Sequence, residues 1–341
     1  MSGRMLTVKD AFERGGNNFH LLRLLAALAV IYGHSYHITR QPGGDLFLMT
    51  VGFKFIGGVA VNMFFVISGF LICGSLERNS VGEYLAARCL RIFPALIVVV
   101  LLSVLVLGPL LTTDAGYWTN SQTWRYLFNN ASMWKTEYFL PGVFIGNPDH
   151  AVNGSLWSLA VEFRLYLLFL LLSVLGLLRR DVFTALCVFA LLAGVWAMPR
   201  YPILTQYINW VEVTAYFFAG ALIWKRRDEV LLTPWGVFVV IGLCVLFHGT
   251  PQFYITFFVA LIYLTFYLGF LDVRWLPKIR RRDLSYGVYL YGWPVQQVVV
   301  MLVPGQSAMF NTVVSCACAL VLAFLSWQLI ENPALKLKKR R

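Results

Sequence analysis

Two ionisable residues stand where a membrane protein can least tolerate them without a reason. Arg23 and His34 lie eleven positions apart in the apolar run covering residues 18–35. Ionisable groups inside a span are costly and mark functional sites by default. Eleven steps of ~100° return to within about 20° of the same helix face, and the rise along that face is about 16 Å. One stripe would carry a fixed positive charge near one membrane surface and a titratable imidazole near the other. The plainer reading is a snorkelling arginine and a hydrogen-bonded core histidine. Arg88 and Arg91 stand three apart and share a helix face. Two guanidiniums in that arrangement match a phosphate bidentately, so they predict an anion site. They also serve as an ordinary cytoplasmic charge signal. Glu162 follows Ser155-Leu-Trp-Ser-Leu-Ala-Val and falls about 10 Å inside its span by helical rise. His34 is expected at a comparable depth. A carboxylate beside imidazole fixes its tautomer and makes it a better base. Glu162 is therefore read either as the orienter of His34 or as a structural partner of an arginine.

Other segments carry weaker signals. Asn62 and Ser68 lie in a span rich in small residues, which suits close helix packing and interhelical hydrogen bonds. Ser285 and Tyr286 begin a span broken by Pro294, and they fall near the expected anion site. Pro294 should free a backbone carbonyl that must find a local donor. Residues 112–154 form a long connection rich in aromatic residues, among them Trp118, Trp124, Phe128 and Trp134, together with Asp149 and His150. These aromatics suit either sugar stacking or a lipid-interface belt. There is no Gly-Lys-Ser/Thr phosphate loop and no dinucleotide fingerprint. No metal-ligand spacing or serine elbow appears either, and no metal is expected. The six cysteines mostly fall in apolar runs without redox spacing and read as small buried hydrophobes.

The elements that must position these residues follow from composition. Mean hydropathy is +0.70. Hydrophobic residues make up 59% and charged residues 13% of the 341, against about 25% charged in a soluble domain. The chain is expected to be all-α, a polytopic transmembrane helical bundle. About ten spans are predicted, at 19–38, 55–76, 90–111, 155–178, 182–198, 207–224, 232–249, 252–271, 284–303 and 308–330. Alternating connections then place 21 of the 28 Lys and Arg residues on the side of the N-terminus and 5 on the other, with Arg23 and Arg164 inside spans. Positive connections stay in the cytoplasm, so both termini are expected inside. The net charge of +12 is thereby a topology signal, and no nucleic-acid partner is expected. Residues 1–18 are polar and no small-residue cleavage site follows the first apolar run, so no signal peptide is expected. One transmembrane domain is expected over 1–341, with 334–341 a basic cytoplasmic tail.

Together these segments resemble the acyltransferase-3 family of membrane O-acyltransferases. Arg23, ten residues and His34 resemble its first-helix signature. Asn62-Met-Phe-Phe-Val-Ile-Ser68-Gly69 resembles its second-helix motif, and Arg88-Cys-Leu-Arg91-Ile-Phe-Pro94 its paired-arginine motif. Ser155-Leu-Trp157-Ser158-Leu-Ala-Val-Glu162 resembles its Trp-Ser-Leu-x-x-Glu motif. Ser285-Tyr286-Gly-Val-Tyr289 and Ile330-Glu331-Asn332-Pro333 resemble the last two. The likeness runs from about residue 18 to 333. One departure is clear: many members carry His before the aromatic-Pro pair of the ninth span, where this chain has Gly292. No extracytoplasmic hydrolase-like domain of the kind fused to some relatives is expected, so the chain resembles a standalone transmembrane module. The resemblance implies a bacterial inner-membrane enzyme that takes an acyl group, usually from acetyl-CoA in the cytoplasm. It implies transfer to a hydroxyl of a surface polysaccharide or lipid-linked sugar. By position, His34 would be catalytic, with Glu162 its orienter. Arg23, Arg88 and Arg91 would serve the donor, with Ser285 and Tyr286 near them. The rival expectation is a transporter or flippase for a lipid or organic anion, whose path the same buried Arg and His would line.

Overall fold

A computed structural model describes residues 6–197, 207–272 and 283–337. The basic residues Arg4, Arg200, Arg274, Lys278, Arg280 to Arg282 and Lys338 to Arg341 lie outside the described residues.

Most of the described residues are helical. In order come α1 (Val8–Glu13), α2 (Phe19–Ile38), α3 (Leu46–Val51), α4 (Ile56–Arg78) and α5 (Val81–Leu102). A π-helical turn (Ser103–Leu107) leads from α5 into α6 (Gly108–Leu111), followed by α7 (Ser121–Ser132), α8 (Leu156–Val174) and α9 (Arg180–Ala197). Then follow α10 (Ile208–Lys225), α11 (Pro234–Leu246), α12 (Phe253–Phe270), α13 (Ser285–Leu302) and α14 (Ala308–Ser326). A second π turn (Trp327–Glu331) and α15 (Asn332–Lys336) close the described chain. Each of the ten predicted segments coincides with a helix. Six helical stretches among the described residues are long and apolar enough to cross a membrane. The largest boundary difference is α5, which begins nine residues before the expected start at 90. Ser80-Val-Gly-Glu83 is a capping-box sequence, so the helix starts in its polar flank and carries Arg88 and Arg91 in regular turns.

The contacts sort into two compact units. The first gathers residues 1–23, 61–80 and 165–281. Its interior is aromatic: Phe70 meets Phe12, Phe19, Trp224 and Phe266, mostly edge to face. Helices α4 and α10 touch backbone to backbone. A Cβ on Gly69 would lie 1.9 Å from the Phe217 carbonyl oxygen, and one on Gly220 would lie 2.0 Å from that of Val66. Asn62, expected to bridge helices, donates to Glu212 Oε1 at 2.8 Å. One end of this unit collects several connections. Leu6–Thr7 (β1) pairs antiparallel with Leu231–Leu232 (β2), and Lys225 bonds Glu77 at 2.6 Å. Arg180 pairs with Asp228 and Glu229, Arg226 with Asp181, and Asn18 donates to Leu271 at the end of α12.

The second unit gathers residues 24–60, 81–164 and 282–341. Here α13 runs against α2, α14 and the start of α8. Pro294 removes the N–H that would bond the Leu290 carbonyl, and Asn153 Nδ2 takes that carbonyl at 3.0 Å. The freed backbone group is thus satisfied locally, as expected. Gly292 lies so close to α2 that a Cβ would stand 2.8 Å from Ile31 Cγ1. Deeper polar groups form a closed network: Gln296 Nε2 donates to the Ile31 carbonyl, Ser35 Oγ and Asn311 Oδ1. Thr312 completes it on Ser35. Buried polar groups in such a network are satisfied and fix helix register, here that of α2, the helix carrying His34.

Candidate active site

His34 sits on the last turns of α2, half-buried at the wall of a cavity of about 500 Å³. Gly33, Phe55, Gly154, Trp157 and Trp293 share that wall. The imidazole lies 4.8 Å from the Trp293 ring and 5.5 Å from Phe55. Its Nδ1 is buried with no hydrogen-bond partner among the described residues. An imidazole held by ring contacts, with a nitrogen left unpaired, keeps its lone pair available for chemistry. Two glycines in its lining let the walls pack closely. A Cβ on Gly33 would meet the Gly57 nitrogen at 2.8 Å, and one on Gly154 would strike the Trp293 indole at 2.6 Å.

A second cavity of about 380 Å³ lies further out along α2, lined by Tyr36, His37, Arg40, Gln41, Pro148 and Asp149. Tyr36, His37 and Gln41 line both cavities. His37 Nε2 donates to Asp149 Oδ2 at 3.0 Å, and the Ala151 N–H donates to Oδ1 at 2.7 Å. His37 first, then that backbone N–H, hold the Asp149 carboxyl below the usual range against the opposing effect of its burial. The loop bearing Asp149 is fastened to α13. Trp293 Nε1 donates to the Ala151 carbonyl at 2.9 Å. Gln297 Nε2 donates to the carbonyls of Asp149 and Ala151, and Asn147 donates to Gln297. Arg40 reaches the Pro148 carbonyl at 2.6 Å. The indole of Trp293 is therefore a neighbour of both imidazoles, with the His37 ring 6.2 Å from it.

The start of α8 is fixed by the same helix. Tyr289 bonds Ser158 Oγ at 2.6 Å and the Ser155 carbonyl at 3.1 Å. Asn153 Oδ1 accepts from the Ser155 N–H. Glu162 lies half-buried one turn beyond Ser158. Arg164 points outward and donates to the Trp134 carbonyl.

At the other end of this unit three motifs converge. Arg91 Nη2 is 2.5 Å from Asp283 Oδ2, and Nη1 is 3.6 Å from Glu331 Oε2. The Ser285 hydroxyl and N–H both donate to Asp283. Tyr286 donates to the Ile92 carbonyl at 2.7 Å, beneath the Arg91 guanidinium. Arg91, Ser285 and Tyr286 are thus joined in a cluster with two buried carboxylates. Arg88, one turn earlier, has its guanidinium 6.0 Å from the Tyr84 ring. Arg23, in the first unit, lies over Phe64 at 5.7 Å.

Sequence reading overlooked His37, Trp293 and the partnership of Asp149. The signal was present in part, because His34 and His37 are three apart and share a helix face. The aromatic connection divides in two. Tyr117 and Tyr126 are buried, and Tyr117 donates to the Val104 carbonyl. Trp118, Trp124, Phe128 and Trp134 are exposed.

Comparison with known proteins agrees with these motifs. Residues 17–330 match a family described as an acyltransferase domain. The chain is 30% identical to "Nodulation protein 10" of Rhizobium leguminosarum bv. viciae, over 94% of each chain. It is 29% identical to an "O-acetyl transferase" of Shigella phage Sf6, over 93% of this chain and 95% of the relative. It is 26% identical to "Peptidoglycan O-acetyltransferase OatA" of Listeria monocytogenes, over 92% of this chain and 55% of that one. No solved structure matches it. A likeness that takes in nearly every residue of the site just described makes this chain a member of the acyltransferase-3 family and an acyltransferase.

Proposed function

We propose that this protein is an inner-membrane O-acetyltransferase. It takes the acetyl group from acetyl-CoA on the cytoplasmic side and transfers it to a hydroxyl of a surface polysaccharide or lipid-linked sugar. Relatives named as an O-acetyl transferase and a peptidoglycan O-acetyltransferase support the acetyl group and the glycan acceptor. The family match sets the transporter reading aside. The observation that carries the mechanism is His34, at a cavity wall with an unpartnered nitrogen, on the same continuous helix as Arg23. The thioester carbon is brought to His34, and the acceptor hydroxyl enters from the side of His37 and Asp149. Arg88 and Arg91 meet the anionic groups of CoA, with Ser285 and Tyr286 holding Arg91 in place. Arg23 is kept as a donor residue on the family resemblance alone. Glu162, one turn past the Ser158–Tyr289 bond, helps orient the reacting groups. The whole chain is taken as one transmembrane acyltransferase domain of ten spans with both termini inside.

The test is thioester consumption in proteoliposomes. His34→Ala should lose turnover and retain CoA binding. Arg88→Gln should weaken CoA binding about tenfold or more, the equivalent of one charge-assisted contact of roughly 1.5–3 kcal/mol. Arg91 is the poorer choice, because its removal strands two buried carboxylates and destabilises the protein. Normal turnover in His34→Ala would remove the proposed mechanism.

A further inference from the structure

The pair that looks built for acid–base work is not His34 itself but its neighbour one turn outward. Asp149 accepts from His37 Nε2, so the neutral His37 ring must keep its proton on that nitrogen and leave Nδ1 as a free base. The Asp149 side is held firmly by Ala151, Gln297 and Trp293. His34 shows the opposite arrangement, with rings on two sides and an unpartnered Nδ1. Both residues line the larger cavity, and only His37 reaches the outer one. The His37 side chain is 65% exposed, open to an acceptor arriving from outside.

We propose that the two histidines divide the reaction: His34 is the nucleophile that carries the acetyl group, and His37, oriented by Asp149, is the base that activates the acceptor hydroxyl. The inference rests on the acyltransferase reading above. In the first step an imidazole nitrogen of His34 attacks the thioester carbonyl. The C–S bond breaks, and the thiolate takes the proton from the other ring nitrogen, giving free CoA and N-acetylimidazole. In the second step His37 accepts the acceptor's proton as the hydroxyl oxygen attacks the acetyl carbon. The C–N bond breaks, and His37 returns the proton to the departing His34 nitrogen. Both histidines end neutral, His34 as its other tautomer, which reverts by proton exchange with water before the next turnover, and the products are CoA and the acetyl ester.

The test uses the full-length protein in proteoliposomes with [14C]acetyl-CoA as the sole substrate, water and then hydroxylamine serving as acceptors. The parent should release one CoA per enzyme in a burst, hold the label, and then turn over slowly by hydrolysis. His37→Gln should keep the burst and the label, while its steady rate falls about 10²-fold, the usual contribution of a general base. Hydroxylamine, a nucleophile that needs no base, should restore turnover in His37→Gln to near that of the parent. The burst itself shows that the variant is folded. Should His37→Gln fail to fold, Asp149→Asn carries the same test with a smaller fall. An unchanged steady rate in His37→Gln overturns the assignment. So does loss of the burst in a variant that still binds CoA. A parent with no burst overturns it too, leaving His34 as a base in direct transfer. The broader functional reading fails separately, if His34→Ala turns over normally.

Discussion

Asn153 does two jobs with one side chain. Its Nδ2 takes the Leu290 carbonyl that Pro294 leaves open, and its Oδ1 accepts from Ser155 at the start of α8. Asn153→Ala should therefore leave a buried carbonyl without a donor and the Ser155 N–H, just before α8, without its side-chain acceptor, a loss of about 1–3 kcal/mol. A fall in the thermal midpoint of the detergent-solubilised protein checks this. Pro294→Ala restores the missing N–H, so adding it to Asn153→Ala should recover part of the loss. A coupling of about 0.5 kcal/mol or more is expected, and strict additivity would show that Asn153 does not serve that carbonyl. The same scale shows what could be read from sequence. His34 and Arg23 were legible because ionisable groups stand out in an apolar run. Asp149 was visible but not as a partner of His37, since the bond joins positions 112 residues apart and no periodicity links a loop to a helix. Arg91 was read as a phosphate ligand. Its bonds to Asp283 and Glu331 were invisible because acidic residues so distant in the chain give no local hint of the encounter. Gly292 reads in sequence as the loss of a family histidine, and a Cβ there would stand 2.8 Å from Ile31 Cγ1, so a larger residue would need the Ile31 side chain to move.

Helices of eighteen or more residues were legible because a long apolar run has few other structures open to it in lipid. The short pieces were not. The six residues of α1 and the two-residue strands are too short to show a period, and tertiary contacts decide them. The π turns at Ser103–Leu107 and Trp327–Glu331 widen a helix without any distinctive residue type. The α4–α10 crossing falls between these cases. Small residues in α4 advertised a close approach, while nothing in the chain named α10 as the neighbour. The geometry makes the prediction specific. Gly69 and Gly220 each face a carbonyl of the other helix at about 2 Å from a would-be Cβ. A rigid backbone atom cannot move aside as a side-chain tip can, so Gly69→Ala or Gly220→Ala must separate the helices. Each should cost about 1–3 kcal/mol or more, the range for overpacking, and lower the thermal midpoint accordingly. Gly82→Ala, where a Cβ meets nothing within 4 Å, is the control and should leave the midpoint unchanged or raise it.

At the scale of the molecule, membrane topology links charge to chemistry. In the first unit, one end holds the segment before α2, the end of α4, the start of α9, the end of α10 and the end of α12. Chain segments that recur at one end of a bundle must be separated by even numbers of crossings. In the second unit, Gln41 beyond α2 accepts from Ala308 at the start of α14, and His37 meets the loop before α8. Arg91, Asp283 and Glu331 gather at the other end. Each grouping, within its own unit, has the even spacing that an alternating topology requires. The proposed topology has ten spans, with the arginine cluster on the cytoplasmic side and the His37 cavity facing out. Two exposed positions report the outcome: Lys135, with a side chain 71% exposed, in the aromatic connection, and Asp181, with one 87% exposed, at the start of α9. In a background lacking the six native cysteines, Lys135→Cys should react with a membrane-impermeant maleimide in intact spheroplasts. Asp181→Cys should react only after the membrane is opened. The reverse pattern would turn the enzyme around and leave Arg88 facing away from its donor. Labelling of both from one side would break the alternation, and with it the proposed separation of donor and acceptor sides.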